Sequence, residues 1–261
     1  MKTFAKTALL SVALSSSAFA ASAASDKTAS VLKPTVVLVH GAFADGSTWN
    51  KVIPLLQAKG LNVVAVQNPL TSFEDDVATT QRTLALQTGP VVLVGHSYGG
   101  AVITEAGQNE RVKALVYIAA FAPSEGQSVA DLNSKYPLPL GFSHLSSDKE
   151  GFLTLTSEGV EKYLAPDVPS NQARVIAVTQ HPTQGASFAT KVSIAAWKTK
   201  PSWYLLSEND LMLQPALQQE MAQKIGAHTI NLAASHVPHL SHPAAVAEII
   251  MHAVNDIITS K

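Results

Sequence analysis

The chain has 261 residues, of which 46% are hydrophobic and only 14% are charged, and its formal net charge is −1. Such a composition can supply a sizeable core and is unlike that of disordered chains. The near-neutral charge gives no sign of a nucleic-acid partner or of a surface held electrostatically at a membrane. The sequence has no cysteine, which excludes disulfides, thiolate metal sites and a cysteine nucleophile.

The first residues have the pattern of a secretory signal peptide. Lys2 and Lys6 precede a short apolar run at residues 8–14. Ala18-Phe19-Ala20 has the small–any–small form of a cleavage site, and Ala21-Ser22-Ala23 is a second candidate. We therefore expect residues 1–24 to be a signal peptide and the protein to be exported, to a bacterial periplasm or beyond. No later stretch is apolar and long enough to span a bilayer, so we expect no stable membrane anchor after cleavage.

Apolar runs alternate with helical patterns along the rest of the chain, which predicts an α/β fold with a parallel sheet and helices on both faces. Continuous apolar runs predict buried strands at residues 35–39, 61–66, 91–94, 112–119 and 201–207, with a short strand at 228–232. Helices are predicted at residues 47–59, 73–87, from 101, 215–224 and 243–258.

Residues 123–190 interrupt this alternation. The stretch is rich in proline and carries no buried-strand pattern. Because active sites of open parallel sheets form at the carboxyl edge of the strands, we expect an insertion at about 124–190 to lie over that edge as a cap. It would belong to a single α/β domain at residues 31–261.

The most informative motif is Gly95-His96-Ser97-Tyr98-Gly99, which lies between an apolar run and a helical pattern. In this context Gly-X-Ser-X-Gly is typical of a nucleophile elbow, a strained turn that exposes the serine hydroxyl. The glycines lack the Cβ atoms that would collide where strand and helix approach. Ser97 is therefore the predicted nucleophile, and it needs a base and an orienting acid.

In this type of site the acid follows the serine in sequence and the histidine follows the acid. The acid is expected just after a late strand, where Asp210 is preferred and Glu208 is an alternative. Glu125, which follows the strand ending at Ala119, is a weaker alternative.

The base is expected between the last strand and the last helix, where three of the nine histidines lie. His236 comes first after the strand and is the preferred base. His239 is expected to pack or to line the entrance, and His242 to cap the last helix or face solvent. The three histidines are spaced three residues apart, and on a helix they could form a metal-binding face. Pro238 and Pro243 argue against a helix there.

The other singled-out histidines have separate expected roles. His40 is expected to brace a loop and His96 to pack, while His181 either lines the pocket or faces solvent. No cofactor is implied, because the sequence has neither a phosphate-binding glycine loop nor a dinucleotide fingerprint.

The negative charge that forms on a substrate oxygen needs preorganised N–H donors. The backbone amides of Tyr98, directly after the nucleophile, and of Ala42, after His40-Gly41, are the candidates. A mostly apolar pocket is expected, with candidate walls Phe43, Tyr98, Phe121, Phe142, Phe152 and Leu153.

The chain resembles the α/β-hydrolase superfamily, and within it the branch of plant methylesterases, hydroxynitrile lyases and pyrethroid-hydrolase-like bacterial esterases. The pieces that carry the resemblance are residues 37–42 with Trp49, 94–100, 119–123, 201–210, 235–236 and 240–243. The resemblance implies a sheet of about six parallel strands, the triad Ser97, Asp210 and His236, and oxyanion donors at Ala42 and Tyr98. The lyases of this branch carry a lysine directly after the catalytic histidine; Val237 stands there, which argues against lyase chemistry.

These inferences predict a serine carboxylesterase that hydrolyses small to medium alkyl or aryl esters through an acyl-enzyme, with a small-molecule ester as its partner. Two alternatives remain open. One is a ligand-binding or sensing protein with little turnover, and the other is a cofactor-free perhydrolase in which peroxide replaces water at the acyl-enzyme. The sequence does not give the oligomeric state.

Overall fold

The computed structural model of the protein describes residues 33–259. The predicted signal peptide at residues 1–24 lies outside the described residues. Among the described residues, no helix is both long and apolar enough to cross a bilayer.

Six parallel strands form the central sheet: β1 (Thr35–Val39), β2 (Asn62–Ala65), β3 (Val91–His96), β4 (Val112–Ile118), β8 (Ser202–Ser207) and β9 (His228–Leu232). Their order across the sheet is β2-β1-β3-β4-β8-β9. β1, β3 and β8 are buried along their whole length, as the continuous apolar runs predict for strands covered on both faces. The predicted fold class, a mostly parallel sheet of about six strands with helices, is confirmed.

Helices cover both faces of this sheet and enclose a separate apolar cluster on each. Those that connect or follow the sheet strands are α1 (Ile53–Gln57), α2 (Phe73–Ala85), α3 (Gly99–Ala106), α7 (Pro215–Lys224), α8 (Pro238–Ser241) and α9 (Pro243–Thr259). The single helix predicted at residues 47–59 is instead a 3₁₀ turn at Gly46–Trp49 followed by α1. Pro54 is the physical reason, because proline fits the first turn of a helix and not its interior.

The insertion contains short elements that the sequence pattern did not indicate. They are α4 (Val129–Asn133), the antiparallel strands β5 (Leu145–Ser147), β6 (Phe152–Leu155) and β7 (Thr183–Gln184), α5 (Ser157–Gly159) and α6 (Ser170–Thr179). These strands have only two to four residues, too few for an alternating pattern to stand out from the surrounding loop.

Hydrogen bonds tie the insertion to the loops that follow the sheet strands. Thr183 accepts from the Phe43 amide after β1, and the Gln184 amide donates to the Leu70 carbonyl after β2. The Gly141 amide donates to the Leu211 carbonyl after β8. The insertion therefore covers the carboxyl edge of the sheet.

Candidate active site

Ser97 occupies the sharp turn between β3 and α3. Its φ is +53°, a left-handed conformation that costs a non-glycine residue free energy. The turn is held from both sides, because the Ser97 amide donates to the Ile118 carbonyl and its own carbonyl accepts from the amides of Gly100 and Phe121. The strained backbone conformation thus occurs at Ser97, the residue that the sequence predicts to be the nucleophile.

Close backbone contacts explain the glycines around this turn. A Cβ on Gly99 would lie 2.6 Å from the His40 carbonyl oxygen, and one on Gly95 would lie 2.6 Å from that of Gly99. A Cβ on Gly41 would lie 2.8 Å from the Cβ of Ser97. The loop after β1 is therefore packed directly against Ser97.

Ser97, His236 and Asp210 meet at the carboxyl edge of the sheet. The Nε2 atom of His236 lies 2.8 Å from Ser97 Oγ, and its Nδ1 atom lies 2.7 Å from Asp210 Oδ2. An ionised carboxylate only accepts hydrogen bonds, so Nδ1 carries the proton and Nε2 of the neutral ring is free to accept the serine proton. All three residues are buried, with Ser97 8% exposed and the other two 4% exposed.

Asp210 is held by donors on both carboxylate oxygens. Oδ1 accepts from the amides of Met212 and Leu213 at 2.8 and 2.9 Å. Oδ2 accepts from His236 and also from the Gln218 side-chain amide at 2.8 Å. These donors fix the orientation of the carboxylate towards His236.

Gln218 of α7 is a site residue that sequence reasoning missed. It is fully buried, donates to Asp210, and accepts from the Ser207 amide at the end of β8. A signal existed in the sequence, since a glutamine eight residues after the predicted acid and on the inner face of a predicted helix can turn back towards that acid.

The His236 loop is fixed by two neighbours. His96 Nε2 donates to the His236 carbonyl at 2.8 Å, which accounts for the packing role predicted for His96. Asp167 of the insertion accepts from both the amide and the hydroxyl of Ser235, directly before His236. Sequence reasoning did not single out Asp167, because no local pattern joins residues this far apart.

Three buried histidines near the triad stay neutral. Burial lowers the pKa of His96 well below its usual value, with His239 and His236 adding to the effect. Burial also lowers the pKa of His40, and it lowers the pKa of His239 to about 3. His40 accepts from the Asn68 amide at Nε2 and therefore donates to the Gly41 carbonyl at Nδ1, a loop-bracing arrangement like the predicted one.

The two predicted oxyanion donors lie close to Ser97. Tyr98 follows it directly, and the Gly41 contact brings Ala42 beside it. Within residues 33–259, neither the Ala42 nor the Tyr98 amide donates a hydrogen bond to another protein group. Both are thus free to receive a negatively charged oxygen.

A cavity of about 340 Å³ opens onto the triad, with Ser97 and His236 in its lining. Most of the other lining side chains are apolar, including Phe43, Phe121, Phe142, Leu153, Phe188 and Met212. Its volume lies near the lower end for small-molecule sites. The cavity therefore suits a compact and largely apolar ligand.

Two of the predicted wall residues do not line this cavity. Neighbouring side chains of a strand point to opposite faces, so in β6 Leu153 lines the cavity and Phe152 does not. The Tyr98 side chain turns away from the cavity, because its hydroxyl donates to the buried carboxylate of Asp76 at 2.8 Å.

The alternative residues lie elsewhere. Glu208 is exposed, and Glu125 pairs with Lys198 at 2.6 Å. His181 is exposed, and His242 ends α8 with a partly exposed side chain. His239 packs against Trp49 and His96. Within the part of the chain that the structure describes, no group of three potential ligands could hold a metal ion.

Comparison with known families decides the classification. The profile of the alpha/beta hydrolase family matches residues 36–249, which include the sheet except Thr35, the three residues Ser97, Asp210 and His236, and the insertion. The chain belongs to this family. Its relatives lie in the esterase branch that the sequence motifs indicate.

Three curated relatives illustrate the branch. The probable hydrolase R7 of a Phoma species is 26% identical and covers 84% of this chain and 97% of its own. The pyrethroid hydrolase of Sphingobium wenxiniae is 25% identical, with coverages of 82% and 85%. The putative methylesterase 11 of Arabidopsis thaliana is 25% identical, with coverages of 82% and 62%. These relatives support ester hydrolysis at the level of the family.

A solved structure has the same fold. The crystal structure of a pyrethroid hydrolase from Sphingobium faniae superposes with a TM-score of 0.73 at 23% identity. The match covers 85% of this chain and 97% of the Sphingobium faniae chain.

Proposed function

We propose that this hydrolase is a serine carboxylesterase acting on small to medium alkyl or aryl esters. The observation that carries the proposal is the hydrogen-bonded series from Ser97 through His236 to Asp210, of which Ser97 and His236 line an apolar cavity. The names of the relatives, among them a pyrethroid hydrolase and a methylesterase, agree with this chemistry.

The reaction would begin when Ser97 Oγ attacks the ester carbonyl carbon and His236 Nε2 takes the serine proton. The developing oxyanion would lie against the amides of Ala42 and Tyr98. Collapse of this intermediate would release the alcohol, which receives the proton from His236, and leave an acyl group on Ser97. A water molecule would then give a proton to His236 and attack the acyl carbon. Cleavage of the bond between that carbon and Ser97 Oγ frees the acid, and His236 returns the proton to Oγ.

Turnover of p-nitrophenyl acetate and butyrate tests this proposal. We expect the purified protein to hydrolyse both and the Ser97→Ala variant to lose at least three orders of magnitude in kcat. Ser143→Ala is the matched control, because Ser143 is exposed and its hydroxyl donates to the Leu140 carbonyl; it should retain wild-type rates. Equal rates in wild type and Ser97→Ala would refute the mechanism.

Two further readouts separate the alternative functions. Tight binding of an ester without product formation would favour a ligand-binding or sensing protein. Formation of peracid in the presence of peroxide, faster than hydrolysis, would favour a perhydrolase.

We also propose that the protein is exported, on the basis of the Lys2, Lys6 and Ala18-Phe19-Ala20 pattern. N-terminal sequencing after expression in a bacterial host should give a periplasmic or secreted chain that begins between Ala21 and Ser25. A cytoplasmic chain that still begins at Met1 would contradict this.

A further inference from the structure

The active-site cavity opens to solvent along one stretch of the insertion. Most of the side chains that line it are buried or half-buried, whereas Ala130, Ser134 and Leu138 are exposed. These three residues belong to α4 and the segment that directly follows it. The mouth of the cavity therefore lies along residues 130–138, and Ser97 lies at a buried part of the lining.

Leu138 places a large apolar side chain at this mouth. Its exposed fraction is 70%. Among the large hydrophobic side chains that are exposed within residues 33–259, Leu138 alone lines the cavity. Most of its apolar surface is therefore in contact with water, at a place where a ligand that projects from the cavity can cover it. Removal of that surface from water would favour binding in proportion to the area covered.

The backbone is held in place on both sides of Leu138. Pro137 and Pro139 flank it, and a proline fixes its own φ and restricts the residue before it to extended conformations. The Pro137 carbonyl also accepts a hydrogen bond at 3.1 Å from the side-chain amide of Gln214, directly before α7. The position of Leu138 is thus set before a ligand binds, so little chain entropy is lost on binding.

We propose that Leu138 is a specificity-determining residue that covers the part of an apolar ester chain that projects from the cavity. The cavity of about 340 Å³ lies near the lower end for small-molecule sites. An alkyl chain that begins at an ester carbonyl beside Ser97 and is longer than the cavity must leave through the mouth. The preferred substrate class is then an ester with an unbranched alkyl chain of medium length. This inference rests on the proposed esterase function and narrows its substrate.

Steady-state kinetics on p-nitrophenyl acetate, butyrate, hexanoate and octanoate test the inference, each ester being kept below the concentration at which it aggregates. In Leu138→Ser we expect the KM for octanoate to rise about fivefold. Its kcat should change little, because the contact stabilises the bound ester and the transition state equally. The rise should become smaller as the chain shortens and should be absent for acetate. Leu138→Met, which keeps an apolar side chain, should behave like wild type.

Leu140→Ser is the matched control. Leu140 is 64% exposed and lies two residues further along the same segment, but it does not line the cavity. Its replacement should leave all four KM values as in wild type. An equal rise of the octanoate KM in both variants would indicate a general surface effect and would overturn the inference. A rise in Leu138→Ser that is as large for acetate as for octanoate would also overturn it.

Binding measurements keep this inference separate from the proposed function. Dissociation constants of methyl butyrate and methyl octanoate are measured by calorimetry on Ser97→Ala, with and without Leu138→Ser, so that no turnover is needed. Octanoate should lose about fivefold in affinity with the leucine, and butyrate should lose less. Wild-type turnover without this chain-length effect overturns the inference alone. Absence of turnover with the binding effect intact overturns the esterase function alone.

Discussion

The carboxylate of Asp167, in the insertion, receives two hydrogen bonds from Ser235, the residue directly before His236. The amide of Ser235 lies 2.8 Å from Asp167 Oδ2, and its hydroxyl lies 2.5 Å from Oδ1. The cap is thus attached to the same loop that positions His236 over Ser97. In the proposed mechanism the insertion therefore helps to position the base as well as to form the cavity.

Replacing Asp167 should slow the chemical step. In Asp167→Ala we expect kcat to fall about tenfold with little change in KM, because the His236 loop loses two anchors while the cavity lining is unaltered. Steady-state kinetics on p-nitrophenyl butyrate measure both constants. Glu158→Ala, which removes an exposed acid of the same insertion paired with Lys162, is the control and should match wild type. A wild-type kcat in Asp167→Ala would show that the loop is held without the cap.

Gln218 should support both catalysis and stability. In Gln218→Leu, Asp210 loses one donor and the buried Ser207 amide loses its acceptor. We expect kcat to fall about tenfold and the free energy of unfolding to fall by about 1–3 kcal/mol. Kinetics and urea denaturation measure the two effects. The neighbouring Gln219→Leu should change neither, and a Gln218→Leu variant as active and stable as wild type would contradict the role given to this residue.

A single methyl group at residue 41 should disrupt the oxyanion loop. The added Cβ in Gly41→Ala would lie 2.8 Å from Ser97 Cβ and 3.0 Å from His96 Nδ1, so the loop that carries the Ala42 amide must move. We expect kcat to fall on the order of 100-fold and the free energy of unfolding to fall by about 1–3 kcal/mol.

Gly226→Ala provides the matched glycine control. Gly226 has φ +61° and nothing within 4 Å of its would-be Cβ, so the change should cost roughly 1 kcal/mol of stability through backbone strain and leave kcat intact. Equal kcat values for Gly41→Ala and wild type would mean that this loop does not supply an oxyanion donor.

Asp76 should make the protein less stable as the pH rises. Burial raises the pKa of Asp76 to about 6, although the Leu70 amide and the Tyr98 hydroxyl both donate to it. Between its unfolded pKa of 3.8 and about 6, the folded state therefore holds a proton that the unfolded state has lost. The contribution of this proton to the free energy of unfolding is fully present below pH 3.8 and is lost as the pH rises through 6. The loss is at most about 3 kcal/mol.

Denaturant unfolding at pH 4 and pH 8 measures this dependence. In Asp76→Asn, which cannot ionise, the decrease from pH 4 to pH 8 should be smaller than in wild type. Asp75→Asn is the control, because Asp75 is an exposed neighbour whose pKa is lowered by hydrogen bonds from Ser72 and Thr71. It should not reduce the decrease, and an equal decrease in wild type and Asp76→Asn would disprove the effect.

Local sequence patterns were sufficient for the sheet and for the turn that carries Ser97. Buried parallel strands are covered on both faces, so each one shows as a continuous apolar run in the sequence. A Gly-X-Ser-X-Gly motif between a strand and a helix is typical of a sharp turn that exposes the serine hydroxyl. The order of serine, acid and histidine then picked out Asp210 and His236 without coordinates. The family comparison confirms the fold and the branch.

Only the tertiary structure decided what surrounds these three side chains. Gln218, Asp167 and Leu138 reach the site from α7, from the loop before α6 and from the segment after α4, and no periodicity along the chain reports such contacts. The cap strands are too short to show an alternating pattern, which is why the sequence could not separate Leu153, which lines the cavity, from its neighbour Phe152, which does not. Periodic patterns record which face of an element is buried, whereas hydrogen bonds between distant loops depend on where the whole fold places their ends.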